Sequence, residues 1–205
     1  MSNLMIRMDT NAIQEIIKKK YSGKLLSHSL GVEDMARRLA LAYGADEEKA
    51  ALAGLLHDYG KLYSSRELLK IAEEHDLADE ISRQATVLLH GPVGSWLLRR
   101  EFGIEDREIL SAIELHTTGK DGMSLLAAIV YLADYIEPGR THEEVGSVQE
   151  LAFQDLWLAL LRAVGNTIRY VLDQRGVIHP NSVLLYNWLL LLLENKNNKT
   201  GVVVL

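Results

Sequence analysis

Apolar residues recur every three or four positions through most of the chain, and two-residue alternation is scarce, so the pattern predicts an all-α protein. Ile13, Ile16 and Ile17 mark a short amphipathic helix over 11–21. Leu25, Val32, Met35, Leu39 and Ala42 mark a second over 24–43, stopped at Gly44, where glycine accepts the left-handed conformation cheaply. Asp46 is placed to cap a third helix through Leu52, Leu55 and Leu56, ending near Asp58. Ser64 and Glu67 have capping-box spacing ahead of Leu68, Leu69 and Ile71. A helix over 79–89 follows, and Pro92 fits the first turn of the next, through Val93, Trp96, Leu97 and Phe102.

Asp106 starts a helix through Ile109, Ile113 and His116. Ser124 starts one through Leu126, Ile129, Val130 and Ala133 that stops at Pro138. Thr141 and Glu144 are spaced to cap another start. A long pattern then runs from 148 to 175, with Leu156, Leu160, Val164, Ile168 and Leu172 reading as a core stripe. Asn181 or Ser182 begins the last helix, through Tyr186 and Trp188 to Leu193. The stretch Leu189 to Leu193 exceeds one helical stripe, so it is buried on all sides or pairs with a second copy; a homodimer is the expectation. No repeat or linker interrupts the chain. The expected organisation is one helical-bundle domain over 11–195, with an N-terminal extension at 1–10 and a tail at 196–205.

Composition narrows the function. The 205 residues are 48% apolar and 24% charged, a globular balance. Lys and Arg total 22 against 28 Asp and Glu, a formal charge of −6. Such a chain is a poor ligand for nucleic-acid polymers, whose backbones attract dense positive charge. Any phosphate contact must come from a local cluster or a metal. There are no cysteines, which excludes disulfides, thiolate ligands and cysteine nucleophiles. No segment approaches the roughly 18 apolar residues of a membrane span, and MSNLMIRMDT lacks the features of a signal peptide. The expectation is a cytoplasmic protein with no membrane partner. Gly60-Lys61 lacks the spacing of a phosphate-binding P-loop, and no GxSxG string supports a serine hydrolase.

The histidines and a few aspartates carry the remaining chemistry. His57 and Asp58 are adjacent at the end of ALAGLLHDYGK. Neighbours on a helix point about 100° apart, yet both reach one ion lying beyond the helix end. Imidazole with carboxylate suits Fe, Mn, Zn, Co or Ni; an N–H to carboxylate contact is the plain structural alternative. His28 lies on the same face as Val32, Met35 and Leu39, so its ring should point inward. Asp134 follows Leu126, Ile129, Val130 and Ala133 on an apolar helix, where a carboxylate needs a cation, a metal or several donors. His90 and His116 each end a helical segment, in VLLHGPVG and AIELHTTGK.

In order, His28, His57-Asp58, His90, His116 and Asp134 resemble the signature of the HD-domain metal-dependent phosphohydrolases, whose core is all-α. The strings HSLGVEDMA, LLHDYGKL, HGPVGSWLL, HTTGKDGMSLLAAIVYLADYIEPGR and VIHPNSVLLYNWLL closely resemble the YqeK-type symmetrical bis(5′-nucleosyl)-tetraphosphatase family over about residues 12–194. The resemblance implies that His28, His57, Asp58 and Asp134 hold an iron ion, with Mn, Co, Ni or Zn as alternatives. It implies that His28, Lys61, His90, His116, Thr117 and Arg140 contact the nucleotide's phosphates or the reacting water. It also implies that Val177, Ile178, His179, Pro180, Asn181 and Ser182 line the nucleotide. The family hydrolyses diadenosine tetraphosphate to two ADP, so the implied partner is a dinucleoside polyphosphate with ADP-like halves.

The residue types suit phosphoanhydride hydrolysis. Two imidazoles and two carboxylates neutralise a divalent ion, which lowers the pKa of bound water and screens phosphoryl charge. Asp58 is placed to accept a proton from that water. His90 and His116 could donate to phosphoryl oxygens, protonate the leaving ADP, or hold a second ion. Lys61 reads as a phosphate-binding cation or a solvated lysine. Arg140, after Pro138-Gly139, reads as a bidentate phosphate clamp or a partner of Glu143 or Glu144. Two alternatives stay open: an HD-domain hydrolase of (deoxy)nucleoside mono- or triphosphates or guanosine alarmones, and a nucleotide sensor without turnover.

Overall fold

A computed structural model of the chain describes residues 10–141 and 143–200, the side chains of 196–200 excepted. The described residues form eleven α-helices and no strand, so the all-α expectation holds. In chain order these are α1 (Thr10–Lys20), α2 (Gly23–Tyr43), α3 (Glu47–Leu56), α4 (Ser65–Glu74), α5 (Glu80–Gln84) and α6 (His90–Phe102). They continue with α7 (Arg107–Leu115), α8 (Leu125–Ile136), α9 (Val145–Ala152), α10 (Leu156–Asp173) and α11 (Pro180–Thr200). Two 3₁₀ turns, Tyr59–Leu62 and Thr86–Leu89, lead out of α3 and into α6.

Local capping chemistry sets most of the starts. Asp46 accepts from Lys49 N, Asp106 from Glu108 N and Ile109 N, and Ser124 from Ala127 N. Ser64 and Glu67 form the reciprocal capping box. Gly44 closes α2 in the left-handed conformation, φ 67°. Four expectations are corrected. The helix over 79–89 breaks at Ala85 into α5 and a 3₁₀ turn, because the backbone there turns to φ −106°, ψ 68°. Thr141 and Glu144 form no cap; α9 begins after Glu144 without a side-chain bond. The pattern over 148–175 is two helices, since Asp155 caps a new start by accepting from Trp157 N and Leu158 N. Leu172 lies past the end of the core and is exposed, while Leu156, Leu160 and Val164 are buried. The last helix starts at Pro180, and its backbone runs to Thr200, into the tail expected at 196–205; residues 201–205 lie outside the described residues.

Helix α8 is the axis of the molecule. Every residue from Leu126 to Ala133 is buried, and α2, α3, α7 and α10 pack around it. This explains an apolar run without a polar face. Helices α2 and α3 approach closely at Gly54, where an added Cβ would lie 2.9 Å from the Val32 carbonyl oxygen. Gly54→Val is therefore expected to wedge the pair apart, at a cost of about 1–3 kcal/mol. Thermal unfolding checks this, and a variant with the parental Tm would refute the close-packing account.

Candidate active site

Five helix ends converge on one side of α8. His28 comes from α2, His57 and Asp58 from the end of α3, and His90 from the start of α6. His116 follows α7, and Asp134 sits on the last turn of α8. His57, Asp58, His90 and His116 are buried, and the side chains of His28 and Asp134 are 17% and 20% exposed. The six residues singled out in sequence thus form one cluster.

Three of the rings are fixed the same way. His57 Nδ1 donates to Gly54 O at 2.7 Å, His90 Nδ1 to Val87 O at 2.5 Å, and His116 Nδ1 to Ile113 O at 2.7 Å. A carbonyl can only accept, so each Nδ1 carries the proton and each Nε2 presents a lone pair to the cluster. The fourth ring, His28, sets its Nδ1 3.1 Å from Glu137 Oε1. A carboxylate behind an imidazole orients it and raises its basicity.

The Nε2 atoms then face one another. His28 and His57 bring theirs to 3.2 Å, and His90 and His116 to 2.9 Å. Two lone pairs at that separation repel unless a proton or a cation lies between them. A divalent ion held by both nitrogens of a pair would remove that repulsion. Carboxylates complete the set. Asp134 Oδ1 lies 3.1 Å from His28 Nε2 and 3.8 Å from His57 Nε2. Asp58 Oδ2 lies 3.3 Å from His57 Nε2 and 3.6 Å from His28 Nε2. This donor set fits a divalent transition ion held by His28, His57, Asp58 and Asp134. The other oxygen, Asp58 Oδ1, is buried without a hydrogen bond, 3.3 Å from His90 Nε2 and 3.5 Å from His116 Nε2. Asp58, His90 and His116 therefore make a second ligand-like group sharing one carboxylate.

Electrostatics follow from the packing. Burial alone would raise the Asp58 carboxyl, but the imidazoles of His57, His116 and His90, when protonated toward it, hold it well below its usual range. Asp134 is likewise held down against its burial by His28, His57 and Arg140. Burial opposes charge on His28, yet Asp134 and Glu137 raise it. Burial lowers His90, which keeps its ring neutral at pH 7 and its Nε2 an acceptor.

Both cations sit against carboxylates of the cluster. Lys61 Nζ donates to Asp58 Oδ2 at 2.7 Å. Arg140 binds Asp134 through Nη2 to Oδ1 and Nε to the backbone O, so its partner is Asp134 and not Glu143 or Glu144. Thr117 Oγ1 is buried without a hydrogen bond. Two clefts flank the cluster and share Arg140. One, of about 360 Å³, presents Lys24, Lys61 and Arg140 beside His28 and Asp58. The other, of about 650 Å³, lies between α8 and α10 and reaches His116, Thr117 and Asp134.

The loop Val177 to Ser182 sits beside the turn after His116, held by Ser182 Oγ to Thr118 O at 2.9 Å. It lines neither of these two clefts. His179 is committed to Asp79, Nε2 to Oδ2 at 2.8 Å, and its Nδ1 accepts from Asn181 N, while Val177 is exposed. Glu137 was not singled out in sequence. In sequence it reads as an ordinary charged residue between Ile136 and Pro138; the structure buries it. It fills the space beside Gly31 and Gly139, and its Oε2 accepts from Gly139 N.

Comparison with known proteins agrees with this geometry. The HD domain family model matches residues 25–139. The chain is 37% identical over 173 residues to a Bacillus subtilis protein named bis(5′-nucleosyl)-tetraphosphatase, symmetrical, covering 84% of this chain and 93% of that one. It is 39% identical to the protein of the same name from Halalkalibacterium halodurans, over 90% and 98% of the two chains. A crystal structure from Clostridium acetobutylicum, described as a predicted HD superfamily hydrolase involved in NAD metabolism, superposes with a TM-score of 0.85 at 39% identity. That match covers 90% of this chain and 98% of the other.

Proposed function

The chain belongs to the HD domain family, among the symmetrical bis(5′-nucleosyl)-tetraphosphatases, and we propose that it hydrolyses diadenosine tetraphosphate to two ADP. The observation that carries the reading is the His/Asp cluster set between two clefts, with Arg140 common to both. Such a layout lets a polyphosphate cross the cluster with a nucleotide half on either side.

His28, His57, Asp58 and Asp134 would hold the ion, with iron as the proposed metal. When bound, it would acidify water and neutralise charge on the phosphoryl oxygens. The chain's own groups do the rest. Lys61 and Arg140 orient the phosphates from the open side. Asp58 Oδ1 is placed to take the proton of the attacking water. The facing Nε2 atoms of His90 and His116 relay a proton to the bridging oxygen, which leaves with the second ADP. The loop 177–182, bonded through Ser182 beside Thr118, would approach one nucleoside from outside the two clefts.

A second reading of the metal content, two ions, is favoured by one observation: Asp58 turns its second oxygen to His90 and His116. No described helix is long and apolar enough to cross a membrane, and a cytoplasmic location fits a nucleotide substrate. On α11, Leu189 is buried, but Val183, Leu184, Leu190 and Leu191 are exposed, which supports a homodimer.

The test is anaerobic purification with metal analysis, then hydrolysis in oxygen-18 water. Diadenosine tetraphosphate should yield ADP alone, with one of each ADP pair labelled. ATP plus AMP as the main products would overturn the symmetric register. Inactivity with every first-row divalent ion would favour a sensor. Phosphate or pyrophosphate release from mononucleotides would favour the other hydrolase reading.

A further inference from the structure

We propose that the cleft between α8 and α10 seats one nucleoside of the substrate, with its base stacked on Tyr170. The inference rests on the dinucleoside reading above and extends it to α10, which supplies none of the cluster.

The shape of α10 leads to this assignment. Ala159 and Ala163 are buried against the core, and the same line of the helix continues through Asn166 and Tyr170. Beyond the core that line borders the cleft of about 650 Å³. The volume falls within the range of small-molecule sites. Asn166 Nδ2 donates to Tyr135 Oη at 3.1 Å, which ties α10 to α8 across the cleft. Tyr170 is 65% exposed, lines the cleft, and stacks on no other ring among the described residues. Arg169, next to it, makes no ion pair among them, and its guanidinium suits the adjoining phosphate.

The two clefts differ in the chemistry a dinucleotide needs. The smaller offers Lys24, Lys61 and Arg140 to phosphate but no tyrosine. The larger adds Tyr131, Tyr135 and Tyr170 to a floor that ends on His116 and Asp134. A base seated on Tyr170 leaves its phosphates directed along Arg169 and Arg140 toward the cluster. Stacking on an aromatic side chain recognises a base by its face, whatever its hydrogen-bonding edge.

Calorimetric titration of metal-loaded protein with ADP and with tripolyphosphate separates base from phosphate recognition. Tyr170 is exposed, so its replacement leaves the fold intact. Tyr170→Ala should weaken ADP binding by about tenfold and raise KM for diadenosine tetraphosphate with kcat little changed. Tripolyphosphate, which has no base, should bind as before, and Tyr170→Phe should restore ADP affinity. Unchanged ADP affinity in Tyr170→Ala would overturn the proposal, as would equal weakening of both ligands or a wild-type protein that binds no ADP. If wild-type protein binds ADP but leaves diadenosine tetraphosphate intact, the functional reading fails, and the ADP comparison still decides the cleft.

Discussion

Asp58→Ala is expected to abolish turnover and strip the ion, while the helices survive. Asp58 is the one residue whose two oxygens face both halves of the cluster. Oδ2 meets His28, His57 and Lys61, and Oδ1 meets His90 and His116. Mutating a group that merely supports a ligand costs roughly 10–100-fold in metal affinity. Loss of the ligand itself should exceed that, and loss of the proton acceptor would add roughly two to four decades in rate. The fold has little reason to fail. Asp58 precedes the 3₁₀ turn Tyr59–Leu62 without forming a side-chain cap, so alanine removes no capping bond. Metal analysis, turnover and circular dichroism on one preparation check all three parts. Full metal occupancy with retained activity would refute the assignment.

His116→Ala is expected to lower kcat by roughly two to four decades, the range of a lost acid–base group. The ring is buried, with its Nδ1 held by Ile113 O and its Nε2 2.9 Å from His90 Nε2. Without it, His90 loses the partner with which it would relay a proton. On the one-ion reading, metal content stays at the parental level. A fall from two ions per chain to one would instead make His116 a ligand and establish the dinuclear centre. His116→Gln, closer in volume, should be as slow as His116→Ala if protonation is the lost property.

Much of this was legible in the chain, for reasons that can be named. Asp46, Asp106, Ser124 and the Ser64–Glu67 pair act within three residues of themselves, so their chemistry is local and reads directly. The cluster was legible through the order of its six residues, which resembles the HD signature; taken singly, each histidine also suited a structural role, and only Asp134 on its apolar helix demanded a partner. The break before Leu156 was not. Phe153 keeps the apolar rhythm going, and only the backbone shows Asp155 turned into a cap. Glu137 was missed because its partners are His28 and Gly31, more than a hundred positions away. Arg140 was read from its neighbours Glu143 and Glu144, but the nearer turn of α8 offered it Asp134 instead.

The rings of His57, His90 and His116 are oriented by main-chain oxygens, and every amino acid supplies one. Residues 54, 87 and 113 hold these rings through their backbones, so side-chain chemistry at those positions is largely free of the tautomer. What the cluster does depend on is reading frame along each helix. Shortening α3 or α7 by a single residue would carry the following histidine, together with the carbonyl three residues before it, through about 100° and away from the cluster. The tautomers should therefore be indifferent to which side chain stands at these positions, although packing still constrains Gly54 and the buried Ile113, and the centre should be intolerant of insertion or deletion in the helices that carry its rings.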